Sequence, residues 1–118
     1  MISVSEKFRM RLRSIFTILV LTVLHFFTCI FLLITVFGNS MGRLDKGGEP
    51  AFHERMLDII LSALLFPVEF ILERLPSSAF PGLWGYIPFF LNSLLWGLGL
   101  YHLLVYMYIG IIKRGRTV

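Results

Sequence analysis

The sequence predicts an all-α integral membrane protein with three membrane-embedded helices, at about residues 15–37, 56–75 and 88–112. Hydrophobic residues make up 57% of the 118 residues and charged residues 15%, whereas a soluble domain carries about 25% charged residues. The mean hydropathy is +0.82, and the first and third segments contain no Asp, Glu, Lys or Arg. We therefore expect a single membrane domain over residues 1–118, and not a disordered chain, a disulfide scaffold or an ordinary soluble enzyme.

The first element is a span over residues 15–37. Its 23 residues reach ~35 Å as a helix, enough to cross a bilayer core of about 30 Å. The basic segment 1–14 resembles the n-region of a signal peptide, but the apolar stretch is too long for an h-region and no A-x-A site follows. We expect an uncleaved span, followed by a polar, glycine-containing loop over residues 38–55.

The middle element, residues 56–75, is weaker. Pro50 is suited to the first position of a helix, Pro67 predicts a kink, and Pro76 predicts the end. Apart from one serine, only residues 59–68 are continuously apolar. The segment therefore fits a span, a re-entrant helix or an interfacial helix.

The third element, residues 88–112, follows a Pro- and Gly-containing connector at 76–87. Trp84 and Tyr86 in the connector fit an interfacial aromatic anchor. The 25 apolar-rich residues reach ~37 Å and span a bilayer with some tilt. A basic tail, 113–118, ends the chain.

The charges leave the topology open. With a cytoplasmic N-terminus, three spans place five Lys and Arg residues inside and six outside, which gives no preference under the positive-inside rule. Two spans place seven inside and four outside, which fits the rule better. Hydrophobicity favours three spans because flanking helices can shelter Glu69. We favour three spans, with two spans or insertion in both orientations as alternatives.

The first segment has two unlike halves when its residues are placed at helical spacing. We expect the polar half to face protein and the aromatic half to face lipid. The polar half contains Ser14, Thr17, Thr22, His25, Thr28, Cys29 and Thr35, and the other half contains Phe16, Phe27, Phe31 and Ile34.

Two further patterns indicate packing surfaces. In the middle segment an acidic stripe about 60° wide could contact basic or hydrogen-bonding groups of a partner. In the alternative interpretation, Asp58 and Glu73 at the two ends of the stripe reach water and only Glu69 is embedded. In the third segment a 4-3-4-3-4 spacing indicates a face for helix packing, either within this chain or against another chain. A small-x-x-x-small pair on the same segment would let two helix backbones approach closely. The stripe is Asp58, Ser62, Glu69 and Glu73. The seam is Asn92, Trp96, Gly99, Leu103, Tyr106 and Gly110, with Ser93 and Gly97 as the small pair.

Ionisable residues in the apolar segments are candidates for chemistry, because charge at that depth is costly. His25, Glu69 and His102 could relay protons. His25 with Cys29 could bind a soft metal, and His25 with His102 could bind haem. In the alternative, each histidine is satisfied by neighbouring hydroxyl or backbone groups, and no metal or cofactor is bound.

No pattern predicts an enzyme. Residues 38–42 match G-x-S-x-G, but a nucleophile elbow needs a strand before it and a helix after it, so we expect a flexible loop. We predict a non-enzymatic protein that contacts the bilayer and another membrane protein or a second copy, as a complex subunit or an inhibitor. The alternatives are a homo-oligomeric proton- or ion-coupled transporter or channel using Glu69, and a redox membrane anchor that binds haem between His25 and His102. We expect no nucleic-acid binding and a multi-pass location in a bacterial-type inner membrane, with the N-terminus cytoplasmic.

Overall fold

The computed structural model describes residues 3–115, and every regular element in that range is helical. This confirms the predicted all-α class. Residues 1–2 of the basic N-terminal segment and 116–118 of the basic tail lie outside the described range. The elements are α1 (Val4–Lys46), α2 (Phe52–Leu65), α3 (Val68–Leu72), a 3-10 turn (Gly82–Gly85) and α4 (Tyr86–Gly115). Two stretches, α1 and the 3-10 turn with α4, are long and apolar enough to cross a membrane.

The first helix extends beyond its predicted end and α2 begins at Phe52, so the loop prediction for residues 38–55 is wrong for 38–46 and for 52–55. Arg43 and Lys46 lie in the last turn, where cations are favoured by the helix dipole. The helix ends at Lys46. Gly47, the next residue, has a φ of +63° and donates its N–H to the Arg43 carbonyl at 2.8 Å. A left-handed glycine at this position is a common helix stop, and the loop is reduced to the few residues after it.

The middle segment is two short helices and not one. α2 begins at Phe52, two residues after Pro50, because Ala51 is extended. Pro67 lacks an N–H to donate and is disfavoured within a helix, and α2 ends at Leu65 before it. At 1.5 Å per residue α2 is ~21 Å long and α3 is ~8 Å long, and neither reaches across a core of about 30 Å.

The third helix begins slightly earlier than predicted, at Tyr86, and continues to Gly115. Pro88 is accommodated because it lies in the first turn, where the backbone N–H groups have no helical partner.

The described residues form two compact units, one of residues 3–25 with 93–115 and one of residues 26–92. In the first unit α1 and α4 are antiparallel, because the contacting residue numbers rise along α1 as they fall along α4. The third span of the preferred topology is not shown, since only α1 and the 3-10 turn with α4 are long and apolar enough to cross a membrane. The contacts are Ser14 with Tyr101, Thr22 with Gly97, and His25 with Ser93.

The second unit has a small apolar core between α1 and α2. Cys29 of α1 packs with Leu61 and Leu65 of α2, and all three side chains are buried. At the end of α1, Arg43 forms an ion pair with Glu54 at 3.2 Å. Glu54 also accepts the Ala51 N–H at 3.2 Å. Partly buried neighbours of the core are Leu32, Val36, Leu64 and Phe89.

The prediction that the polar half of the first segment faces protein is confirmed in part, and the lipid contact of the other half stays a prediction. Thr22, His25 and Cys29 on the polar half are buried. Thr28 is an exception, because it is exposed. The aromatic half is solvent-accessible throughout, and its exposed residues are Phe16, Phe27, Phe31 and Ile34.

Candidate functional site

His25 is held by polar and aromatic neighbours on α4. Its Nδ1 lies 3.0 Å from the Ser93 hydroxyl oxygen, and its ring stacks on Trp96 with centroids 5.5 Å apart and planes 15° apart. A buried polar group needs a hydrogen-bond partner, and Ser93 supplies one. The structure thus agrees with the interpretation in which this histidine is satisfied by a neighbouring hydroxyl.

The small pair Ser93 and Gly97 packs within the chain. A Cβ at Gly97 would lie 3.1 Å from both the Ile18 carbonyl oxygen and the Thr22 N, and would meet the Thr22 hydroxyl more closely still. Thr22 and Ser93 are each only 1% exposed. Thr22 donates its hydroxyl to the Ile18 carbonyl at 2.8 Å, so its polar group is satisfied at the contact. The glycine therefore permits the close approach of two backbones.

A second polar contact joins the same two helices. The Tyr101 hydroxyl donates to the Ser14 hydroxyl at 2.6 Å, and Ser14 donates in turn to the Met10 carbonyl at 3.1 Å. Helical spacing placed Ser14 on the polar half, whereas the role of Tyr101 was not predicted. Its position four residues after Gly97 and eight after Ser93 puts it on the same face of α4, and this spacing was the available signal.

Asn92 stabilises the broken middle segment. Its Nδ2 donates to the Leu64 carbonyl at 2.9 Å, and its side chain is buried. Carbonyls in the last turn of a helix have no helical partner, and Leu64 is the second-last residue of α2. The predicted hydrogen bond from Asn92 across a helix contact is thus found, within the chain.

The acidic stripe is not a single helical face. Asp58 and Ser62 lie on α2, Glu69 lies in the first turn of α3, and Glu73 follows the end of α3. The prediction assumed one continuous helix through these four residues. The helix is interrupted at Phe66 and Pro67, so the four side chains do not lie on one helical face. Glu69 is partly buried, whereas the other three are exposed.

His25 and His102 do not share a site. His102 is exposed and its Nδ1 donates to the Leu98 carbonyl at 2.8 Å. It follows Ser93, the partner of His25, by nine residues, which is ~13 Å along a helix. No cluster of three or more His, Cys, Asp or Glu side chains suited to a metal occurs within residues 3–115.

The G-x-S-x-G match lies in the last turns of α1, so the flexible-loop prediction there is wrong. Ser40 donates its hydroxyl to the Val36 carbonyl at 2.9 Å, as a serine within a helix does. The strand–turn–helix geometry of a nucleophile elbow is not present at these residues.

The second half of the predicted seam is uncovered. A Cβ at Gly99 or Gly110 would have no neighbour within 4 Å. Leu103 and Tyr106 between them are 53% and 77% exposed. At 100° per residue these four residues fall within an arc of about 60° that points away from the face contacting α1. We call Gly99, Leu103, Tyr106 and Gly110 the open face.

Comparison with protein-family models, with curated proteins and with solved structures finds no match to this chain.

Proposed function

We propose that this chain is a small integral membrane protein that acts through helix–helix contact, without catalytic chemistry of its own. Large apolar side chains along α1 and α4 are exposed from Ile15 to Phe37 and from Phe90 to Ile112. Soluble monomers rarely expose continuous apolar patches of more than a few hundred Å². Lipid is the solvent that this surface fits.

In the proposed topology α1 and α4 cross the bilayer, and the segment containing α2 and α3 enters or lies at the membrane without crossing it. The antiparallel contacts of α1 with α4 support an even number of crossings. Both termini are then on one side, and their Lys and Arg residues make that side the cytoplasmic one. The proposed location is a multi-pass protein of a bacterial-type inner membrane.

The open face of α4 is the proposed contact with another membrane protein. Ser93, Gly97 and Tyr101 already pack against α1, whereas Gly99 and Gly110 leave room for a further backbone. Small residues at helix interfaces permit close packing in lipid, where hydrophobic attraction between helices is absent. The uncovered second half of the seam is the observation that carries this proposal, for a subunit or an inhibitor of a membrane complex.

The test is tagged purification from native membranes in mild detergent with Gly99→Leu and a matched control, Gly38→Leu. At both glycines a Cβ would have nothing within 4 Å, so the two substitutions are matched at the first side-chain atom. We expect a stoichiometric second protein with the wild type and with Gly38→Leu, and its loss with Gly99→Leu. Unchanged co-purification with Gly99→Leu, or a homo-oligomer without a second protein, would contradict the proposal.

A further inference from the structure

We propose that the end of the first unit at which α1 begins and α4 ends binds the anionic phospholipid headgroups of one leaflet. This end, which we call the basic end, consists of residues 4–13 of α1 and 106–115 of α4. The inference rests on the proposed membrane insertion. It adds the lipid class that the molecule selects and the residues that select it.

Antiparallel packing concentrates positive charge at the basic end. Ser14 and Tyr101 are joined by a hydrogen bond, so residues five positions outward on each helix, Arg9 and Tyr106, lie at about the same height. Glu6 is the single acidic residue among the residues of the basic end. The Lys and Arg residues there are Lys7, Arg9, Arg11, Arg13, Lys113 and Arg114.

The first turns of α1 have the pattern of a helix at a lipid interface. At 100° per residue Val4, Phe8 and Leu12 fall within an arc of about 80°, and all three are exposed. Lys7 and Arg11 lie within about 60° of one edge of this arc and Arg9 within about 60° of the other. Arg13 lies about 100° from the nearer edge. An apolar arc bordered by Lys and Arg lets the aliphatic stems contact acyl chains while the charges reach headgroups.

Aromatic residues of α4 occupy the same level. Tyr106 and Tyr108 are exposed and lie at about the heights of Arg9 and Lys7. Tyrosine is enriched at membrane–water interfaces, where its ring and hydroxyl contact different layers. At a neutral leaflet the basic residues are stabilised only by hydration. At an anionic leaflet they are also attracted by the negative charge of the headgroups. Each Lys or Arg near such a surface strengthens binding by roughly fivefold.

The experiment measures the lipids in contact with the full chain in vesicles of phosphatidylcholine containing phosphatidylglycerol. Spin-labelled phosphatidylglycerol and phosphatidylcholine are compared by electron paramagnetic resonance. We expect the wild type to prefer phosphatidylglycerol, and high salt to reduce the preference. The triple variant Arg9→Gln, Arg11→Gln, Arg13→Gln lowers it by at least about twofold, because the fivefold effect at each site is averaged over all contacting lipids.

The matched control removes three positive charges elsewhere, where acidic residues are close in sequence. It combines Lys46→Gln, Arg55→Gln and Arg74→Gln, and we expect it to retain the preference. No preference in the wild type, or equal losses in the two triple variants, overturns the proposal. Binding of soluble polyglutamate without lipid preference would instead assign the basic end to an acidic protein segment. Resistance to alkaline extraction is measured alongside, because loss of insertion refutes the proposed function and loss of lipid preference alone does not.

Discussion

Substitution of Gly97 by alanine should weaken the packing of α1 against α4, although alanine is the better helix former. The added Cβ would lie 3.1 Å from the Ile18 carbonyl oxygen and from the Thr22 N. These are backbone atoms of α1 and cannot rotate away, so the helices must separate. Overpacking of this kind costs about 1–3 kcal/mol, against a gain of up to about 1 kcal/mol in helix propensity.

The matched control is Gly99→Ala, two residues further along α4. A Cβ there has no neighbour within 4 Å, so the change in helix propensity acts alone. The free energy of unfolding of the Gly97 variant should lie about 2 kcal/mol below that of the Gly99 variant, a factor of ~30 in the unfolding equilibrium. Gly97→Ala combined with Thr22→Ala should recover part of the loss, because the hydroxyl is removed and the backbone atoms are not.

The assay is reversible unfolding of the purified chain in mixed detergent micelles, followed by circular dichroism and tryptophan fluorescence. Trp96 stacks on His25, so its emission reports separation of α1 from α4. Equal stability of the Gly97 and Gly99 variants would refute the close approach of the two helices at Gly97.

Two further substitutions test the polar contacts by the same unfolding assay. Ser93→Ala removes a hydrogen bond to the buried His25 and should lower the free energy of unfolding by about 1 kcal/mol; an effect no larger than that of the exposed Ser78→Ala would count against the contact. Asn92→Ala leaves the Leu64 carbonyl without the donor at 2.9 Å and should lower the free energy of unfolding by about 1–3 kcal/mol. An unchanged free energy would show that another group donates a hydrogen bond to this carbonyl.

The helical structure and the buried half of α1 could be predicted from the sequence, because hydrophobic periodicity and the absence of charged residues are local properties of the chain. The end of α1 was not. Gly38 and Gly42 indicate a loop by composition, but each costs only about 1 kcal/mol within a helix. The stop occurs where Gly47 adopts a positive φ, a conformation that composition alone does not locate.

The sequence predicted which residues of the candidate site make packing contacts, but only some of the groups that those residues contact. Spacing identified Asn92, Ser93 and Gly97 as packing positions, but it did not indicate that Asn92 meets the end of α2. That contact exists because α2 stops before Pro67 and leaves the Leu64 carbonyl to be satisfied. The prediction of one acidic stripe is wrong for the same reason. It assumed regular helical spacing on both sides of Pro67, whereas the helix ends before that proline.

The periodicity of α4 also explains why the sequence could not choose between packing within the chain and packing against another. The face that contacts α1 follows Ser93, Gly97 and Tyr101, and the open face begins at Gly99, only two residues after Gly97. Two glycines so close in sequence lie about 200° apart around a helix, so one helix can serve both purposes. A side chain at position 97 should therefore affect folding, whereas one at position 99 should affect the proposed association. Measuring both variants for stability and for co-purification separates the two effects. A Gly99→Leu variant that unfolds as readily as Gly97→Leu would show that the open face is closed in the folded protein.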